Sequence, residues 1–179
     1  QIGFHGFGSW TRPEPDGGGG GETSAGSALG LAYLYDTRDL GISLSFYDIS
    51  NGFETAAGYL TRPGVAGLLG SASPRLYPKS RFFRKVVPSL SAAAVKDLPS
   101  GLYETDDSLG LTVLLPGNTS VQLSGRYATE VFLGRRFETS GGQIQVLSQV
   151  TKALYLRGIV WRGNSIRYVA DPYQGDGSR

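Results

Sequence analysis

A chain of 179 residues with 27 glycines, 9 prolines and only 18% charged residues is poorly suited to long helices, since glycine costs about 1 kcal/mol in a helix interior. Apolar residues make up 40% and recur with a clear period, which excludes a disordered chain; the scattered basic residues and net charge of +2 exclude a nucleic-acid surface. Without cysteine there is no disulfide framework or thiolate metal site, and no run of apolar residues is long enough for a transmembrane helix, although short alternating strands could still cross a bilayer.

Taken in chain order, period-2 alternation predicts about nine strands, over residues 1–10, 26–36, 40–48, 64–77, 85–96, 104–115, 119–130, 140–150 and 153–163. The first is followed by a Gly-rich loop over 11–25, whose run Gly17 to Gly21 lacks the Lys-Ser/Thr pair of a phosphate cradle and reads as a flexible connection. In Leu40-Gly41-Ile42-Ser43-Leu44-Ser45-Phe46 the even positions are apolar, while in Leu109-Gly110-Leu111-Thr112-Val113 the odd ones are. Val121 and Leu123 continue the pattern after the turn Pro116-Gly117-Asn118, with Gln122, Ser124 and Arg126 on the other side. Gln143, Gln145 and Gln149 share one face, and Leu154, Leu156 and Val160 lie opposite Tyr155, Arg157 and Trp161. A helix could not sort these residues onto separate sides.

Tight connections are expected at 36–39, 116–118 and 151–152, with a somewhat longer one near Pro78. Longer stretches at 11–25, 49–63, 97–103 and 131–139 and the tail after 163 alternate with them. Short turns at one end and longer loops at the other suit an antiparallel up-and-down transmembrane β-barrel, or part of one. Most strands are near ten residues, the length a tilted strand needs to cross a bilayer. Methionine is absent and the chain opens on Gln1, as expected of a mature or excised fragment; Gly177-Ser178-Arg179 lacks the final aromatic that closes many bacterial barrels.

Arginine on a lipid-facing side near the midplane would cost about 2–4 kcal/mol. Arg126 and Arg157, with Gln122 and Gln145, are therefore expected to face the lumen, where pairing and packing are the simpler role and selectivity the functional one. Arg162 also falls on a strand. Tyr33, Tyr35, Tyr47, Tyr59, Tyr77, Tyr127, Trp161 and Tyr168 lie near strand ends and suit interfacial aromatic girdles, or a sugar-stacking platform if the sheet is soluble. Glu104, Asp106 and Asp107 could hold a calcium ion, although a solvated loop edge is the plainer reading, and Asp171 to Asp176 reads as loop. His5 is the lone histidine and nothing positions it for a triad. No catalytic residue, metal or cofactor is expected.

The segment Phe53-Glu54-Thr55-Ala56-Ala57-Gly58-Tyr59-Leu60-Thr61-Arg62, after Tyr47-Asp48-Ile49, resembles a bacterial family of surface proteins. In that family a family 9-like carbohydrate-binding domain precedes a large outer-membrane β-barrel. The likeness continues in Gly134-Arg135-Arg136-Phe137-Glu138-Thr139, in Arg162-Gly163-Asn164-Ser165-Ile166-Arg167-Tyr168 and in Asp171-Pro172-Tyr173-Gln174-Gly175. The resemblance implies a barrel with further strands beyond Arg179 and a preceding soluble domain. Members are sometimes described as membrane-associated hydrolases, but no catalytic residue carries over. The chain is thus expected to be an integral protein of the bacterial outer membrane, a scaffold, anchor or pore, with the lipid bilayer as partner and possible further subunits of an outer-membrane assembly. The alternatives are a soluble β-sandwich that binds carbohydrate through surface aromatics and, more remotely, an enzyme.

Overall fold

The computed structural model describes residues 1–11, 24–54, 62–132, 135–167 and 173–178. Among them every regular element is a strand: β1 (Ile2–Thr11), β2 (Ser24–Asp36), β3 (Leu40–Ile49), β4 (Val65–Pro74), β5 (Lys85–Asp97), β6 (Tyr103–Leu115), β7 (Thr119–Phe132), β8 (Arg135–Gln149), β9 (Tyr155–Arg167) and β10 (Tyr173–Ser178). They form one antiparallel up-and-down sheet in sequence order, each strand bonded to the next. The sheet does not close into a barrel: β1 and β10 share no ladder.

Nine of these strands stand where alternation predicts them. The tenth, β10, pairs with β9 from Tyr173↔Arg167 to Ser178↔Arg162, although its Gly175-Asp176-Gly177 core has low strand propensity. The expected long loop over 131–139 is a correction too. Glu130↔Phe137, Val131↔Arg136 and Phe132↔Arg135 extend the β7–β8 ladder, leaving only 133–134 between the strands. The connection over 98–102 is likewise short, and 75–84 is longer than both, so loop lengths are not sorted cleanly by end. The Gly17 to Gly21 run, Tyr59, Tyr168 and Asp171 lie outside the described residues.

Because paired residues share a face, the register divides the sheet into two chemically different sides. One carries Leu31, Phe46 and Leu68 on β2 to β4 and Leu111, Leu123, Ile144 and Val160 on β6 to β9. The other carries Ser43 and Ser71, Ser91 and Ser108, then Gln122 and Gln145. Cross-strand hydroxyl pairs bond at 2.8 Å for Ser43–Ser71 and 2.7 Å for Ser91–Ser108.

Among the described residues no second layer covers the apolar side. Leu68 is 58% exposed, Leu109 66% and Val160 66%, and the chain exposes 12540 Å², where a compact chain of this mass would expose about 8,400 Å². Most of the few buried side chains, among them Phe53, Val65, Asp97, Ala128 and Phe137, gather at the end of the sheet near 50–54 and 62–64, and Gln145 is buried further along the polar face.

Glycines allow close approach on the polar side. A Cβ on Gly67 would lie 2.4 Å from the Tyr47 ring, and one on Gly30 2.1 Å from His5 Nε2, so each ring lies over the glycine of a neighbouring strand. At the β6–β7 return, Gly117 (φ 75°) and Asn118 (φ 53°) take the left-handed conformations that let three residues reverse the chain. Gly67→Val should destabilise the protein by about 1–3 kcal/mol through this overlap. Combining it with Tyr47→Ala should recover part of that loss in urea unfolding, and strict additivity of the two changes would show that ring and glycine do not interact.

Candidate functional site on the polar face

The polar face collects the four residues singled out for the lumen. Gln122 pairs with Gln145 in the ladder, and Arg126 and Arg157 stand on the same side. Gln145 Nε2 donates to Gln122 Oε1 at 3.3 Å, and Arg157 Nη2 donates to Gln145 Oε1 at 3.2 Å. This amide–guanidinium chain lets Gln145, only 9% exposed, be buried with its polar groups bonded. Arg126 grips Asp106 through Nε at 2.7 Å and Nη2 at 2.8 Å, a bidentate pair spanning β6 and β7.

The aromatic residues divide between the two faces. Tyr33, Tyr35 and Tyr127 are on the apolar side, at register positions opposite Leu44, Ile42 and Asp107. Tyr47 and Trp161 are on the polar side, over Gly67 and over Gly163, so a girdle on the apolar face cannot include them. Alternation already distinguished them: Tyr47 is out of step with Leu44 and Phe46, and Trp161 is in step with Arg157. Arg162 falls on the apolar side opposite Gly142, near the end of that face.

A second cluster was not visible in the sequence. Arg62, on the 50–64 connection, donates through Nη2 to Asp97 Oδ1 at 2.6 Å and through Nη1 to Glu104 Oε1 at 2.8 Å. Glu104 Oε1 also accepts the Val131 N–H at 2.8 Å, and the Asp97 carboxylate accepts the Ser100 N–H at 3.0 Å and the Ser100 hydroxyl. Burial works against the charge on Arg62, but the hydrogen bonds from Glu104 and Asp97 more than offset it and hold the guanidinium protonated above its ordinary range.

The same connection is tied to the other side of the sheet. Ser27 N–H donates to Ser50 Oγ at 2.8 Å and Glu54 N–H to Ser9 Oγ at 2.9 Å. Gly26 lets the Phe53 backbone lie against β2, where a Cβ would come within 2.2 Å of Phe53 N. The three acidic residues considered for calcium are dispersed: Glu104 and Asp106 are each held by an arginine, and Asp107 is on the opposite face. Among the described residues no group of metal-ligating side chains gathers anywhere. His5 lies beside Phe7, with ring centroids 5.9 Å apart.

No protein-family model, curated protein or solved structure matches this chain, so its functional reading rests on the geometry of the sheet.

The Arg62 cluster predicts its own test. Arg62→Ala leaves Asp97 and Glu104 facing each other without a cation and should lower stability by about 1–2 kcal/mol, the guanidinium being a third exposed. Replacing both carboxylates as well (Asp97→Asn, Glu104→Gln) should restore part of the loss. An unchanged urea midpoint in Arg62→Ala would mean that the arginine does not fasten the 50–64 connection.

Proposed function

We propose that this sheet is wall material of a transmembrane β-barrel of the bacterial outer membrane, with its apolar face against lipid and its polar face toward a wet interior, serving as scaffold, anchor or pore. The observation that carries the reading is the course of the apolar belt. The ladder row that passes through Tyr33 and Leu44 on β2 and β3 reaches Asp107, Tyr127 and Ser140 on β6 to β8. The apolar residues of those later strands lie further along, at Leu111, Leu123 and Ile144.

From β2 to β9 the belt therefore drifts by roughly one residue per strand. At a rise of about 3.3 Å per residue and about 4.8 Å between strands, that drift is a tilt of about 35°. Strands of transmembrane barrels tilt by about 35–45° against a level lipid belt. A globular sandwich has no reason for its apolar rows to run obliquely at this slope.

Charge placement follows the same oblique line. On the apolar face Asp48 and Lys96 stand at the ends of β3 and β5, while Asp107 and Arg162 stand progressively further along β6 and β9. None interrupts the belt. The soluble alternative would need a second layer over this face, and the described residues supply none. Lipid does not tolerate unpaired edges, so in a membrane β1 and β10 pair with each other or with further strands.

Dibrominated lipids report the orientation directly. With Trp10→Phe and Trp161→Phe as background, a Leu123→Trp probe should be strongly quenched in vesicles, whereas native Trp161 in a Trp10→Phe chain should not. Leu123→Arg should cost about 2–4 kcal/mol and Ser124→Arg far less. Equal quenching at both positions, or release of the protein into plain buffer as a monomer, would sink the barrel reading.

A further inference from the structure

Trp161 lies against a row of glycines. Its polar-face neighbours Gly141, Gly163 and Gly177 form one row across β8, β9 and β10. A Cβ on Gly163 would sit 2.8 Å from indole Cζ2, one on Gly177 3.2 Å from Cζ3, and one on Gly141 3.3 Å from Nε1. The row thus brings the backbone of three strands close to the ring. The indole also lines an open recess of about 750 Å³ with Gln143, Arg157 and Ile159.

The polar groups of this recess are not consumed by the protein. Gln143 stands directly opposite Trp161 in the ladder, and among the described residues neither its amide nor the indole N–H has a hydrogen-bond partner. Arg157 spends one nitrogen on Gln145 and has no carboxylate partner, in contrast to Arg126 with Asp106. No acidic residue occurs in Thr119–Ala128, Thr139–Gln149 or Tyr155–Ile166, so the cation faces the recess without a counter-charge.

A flat aromatic platform, an amide with both donor and acceptor free, and an uncompensated guanidinium suit one ligand chemistry. A sugar ring lays its apolar face on the indole, its hydroxyls exchange hydrogen bonds with the amide, and a carboxylate on the ring takes the guanidinium. We propose that Trp161, Gln143 and Arg157 form a saccharide subsite on the polar wall, selective for rings that carry a carboxylate, the uronate class. The proposal rests on the barrel reading only for its setting, the wet interior.

Fluorescence of the Trp10→Phe chain in detergent, where Trp161 is the remaining tryptophan, tests it with trigalacturonate against neutral maltotriose. Trigalacturonate should change the emission saturably, maltotriose should bind at least ten-fold more weakly, and Arg157→Gln should lose trigalacturonate binding by a similar factor. Arg157→Lys, which keeps the charge, should retain part of it and serves if the glutamine variant does not fold. No saturable response to trigalacturonate, or equal affinity for both sugars, overturns the subsite. Lipid quenching of Trp161 reports separately on the barrel, so a shielded but unresponsive tryptophan would leave that reading standing and remove only this one.

Discussion

Period-2 alternation held in register over ten strands is the constraint on which the rest depends. Each strand bonds only to its sequence neighbours, so a slip of one residue at any hairpin would reverse the faces of every strand beyond it. The tight β6–β7 return at Gly117 and Asn118 and the bonded serine pairs guard against such slips. The result is a single layer with one side of leucine, isoleucine, valine and phenylalanine and one side of serine, glutamine and glycine. The described residues supply no cover for its apolar side, and the exposed area measures that deficit. In water this face would be a large aggregation surface, whereas in a bilayer it is the part that inserts.

The polar side solves a different packing problem. It must fit rings among strands only about 4.8 Å apart. Glycine under His5, Tyr47 and Trp161 makes room for them, and each ring in turn covers backbone that a glycine leaves bare. Like the hydroxyl pairs, the pairs of His5 with Gly30 and Tyr47 with Gly67 join neighbouring strands at fixed register positions. The glycines also explain why Tyr47 and Trp161 stand on the polar side rather than the apolar one.

Most of the fold was legible in the sequence because alternation is a local signal. The strands from Leu40, Leu109 and Val121 could be placed from parity alone. The start of β8 could not, since Arg135, Arg136 and Glu138 look like a solvated loop, yet Phe137 returns to the polar side and is buried at 8% exposure. Gly175-Asp176-Gly177 hid β10 because its pairing with β9 overrides propensity. For Gln122, Gln145, Arg126 and Arg157, parity was enough to group them on one face. The Arg62 cluster was illegible: its arginine and its two carboxylates come from separate parts of the chain, and only the folded connection brings them together.

The polar face also has a direction. Asp97, Glu104 and Asp106 stand at the end fastened by Arg62, whereas Lys85 and Arg157 stand toward the other end. All three carboxylates at the acidic end are bound by arginine, so their charge is spent on holding the connection and β6–β7 in place. Toward the other end Arg75 binds Asp36 and Lys85 lies over the Tyr77 ring, whereas Arg157 has no carboxylate partner and lines the open recess. Such a sheet is asymmetric in chemistry even where it is uniform in backbone geometry: one end is committed to structure, whereas the β8–β9 side retains unspent donors at Gln143, Trp161 and Arg157. The proposed saccharide subsite draws on that asymmetry, since there a ligand finds donors that the protein has not already used.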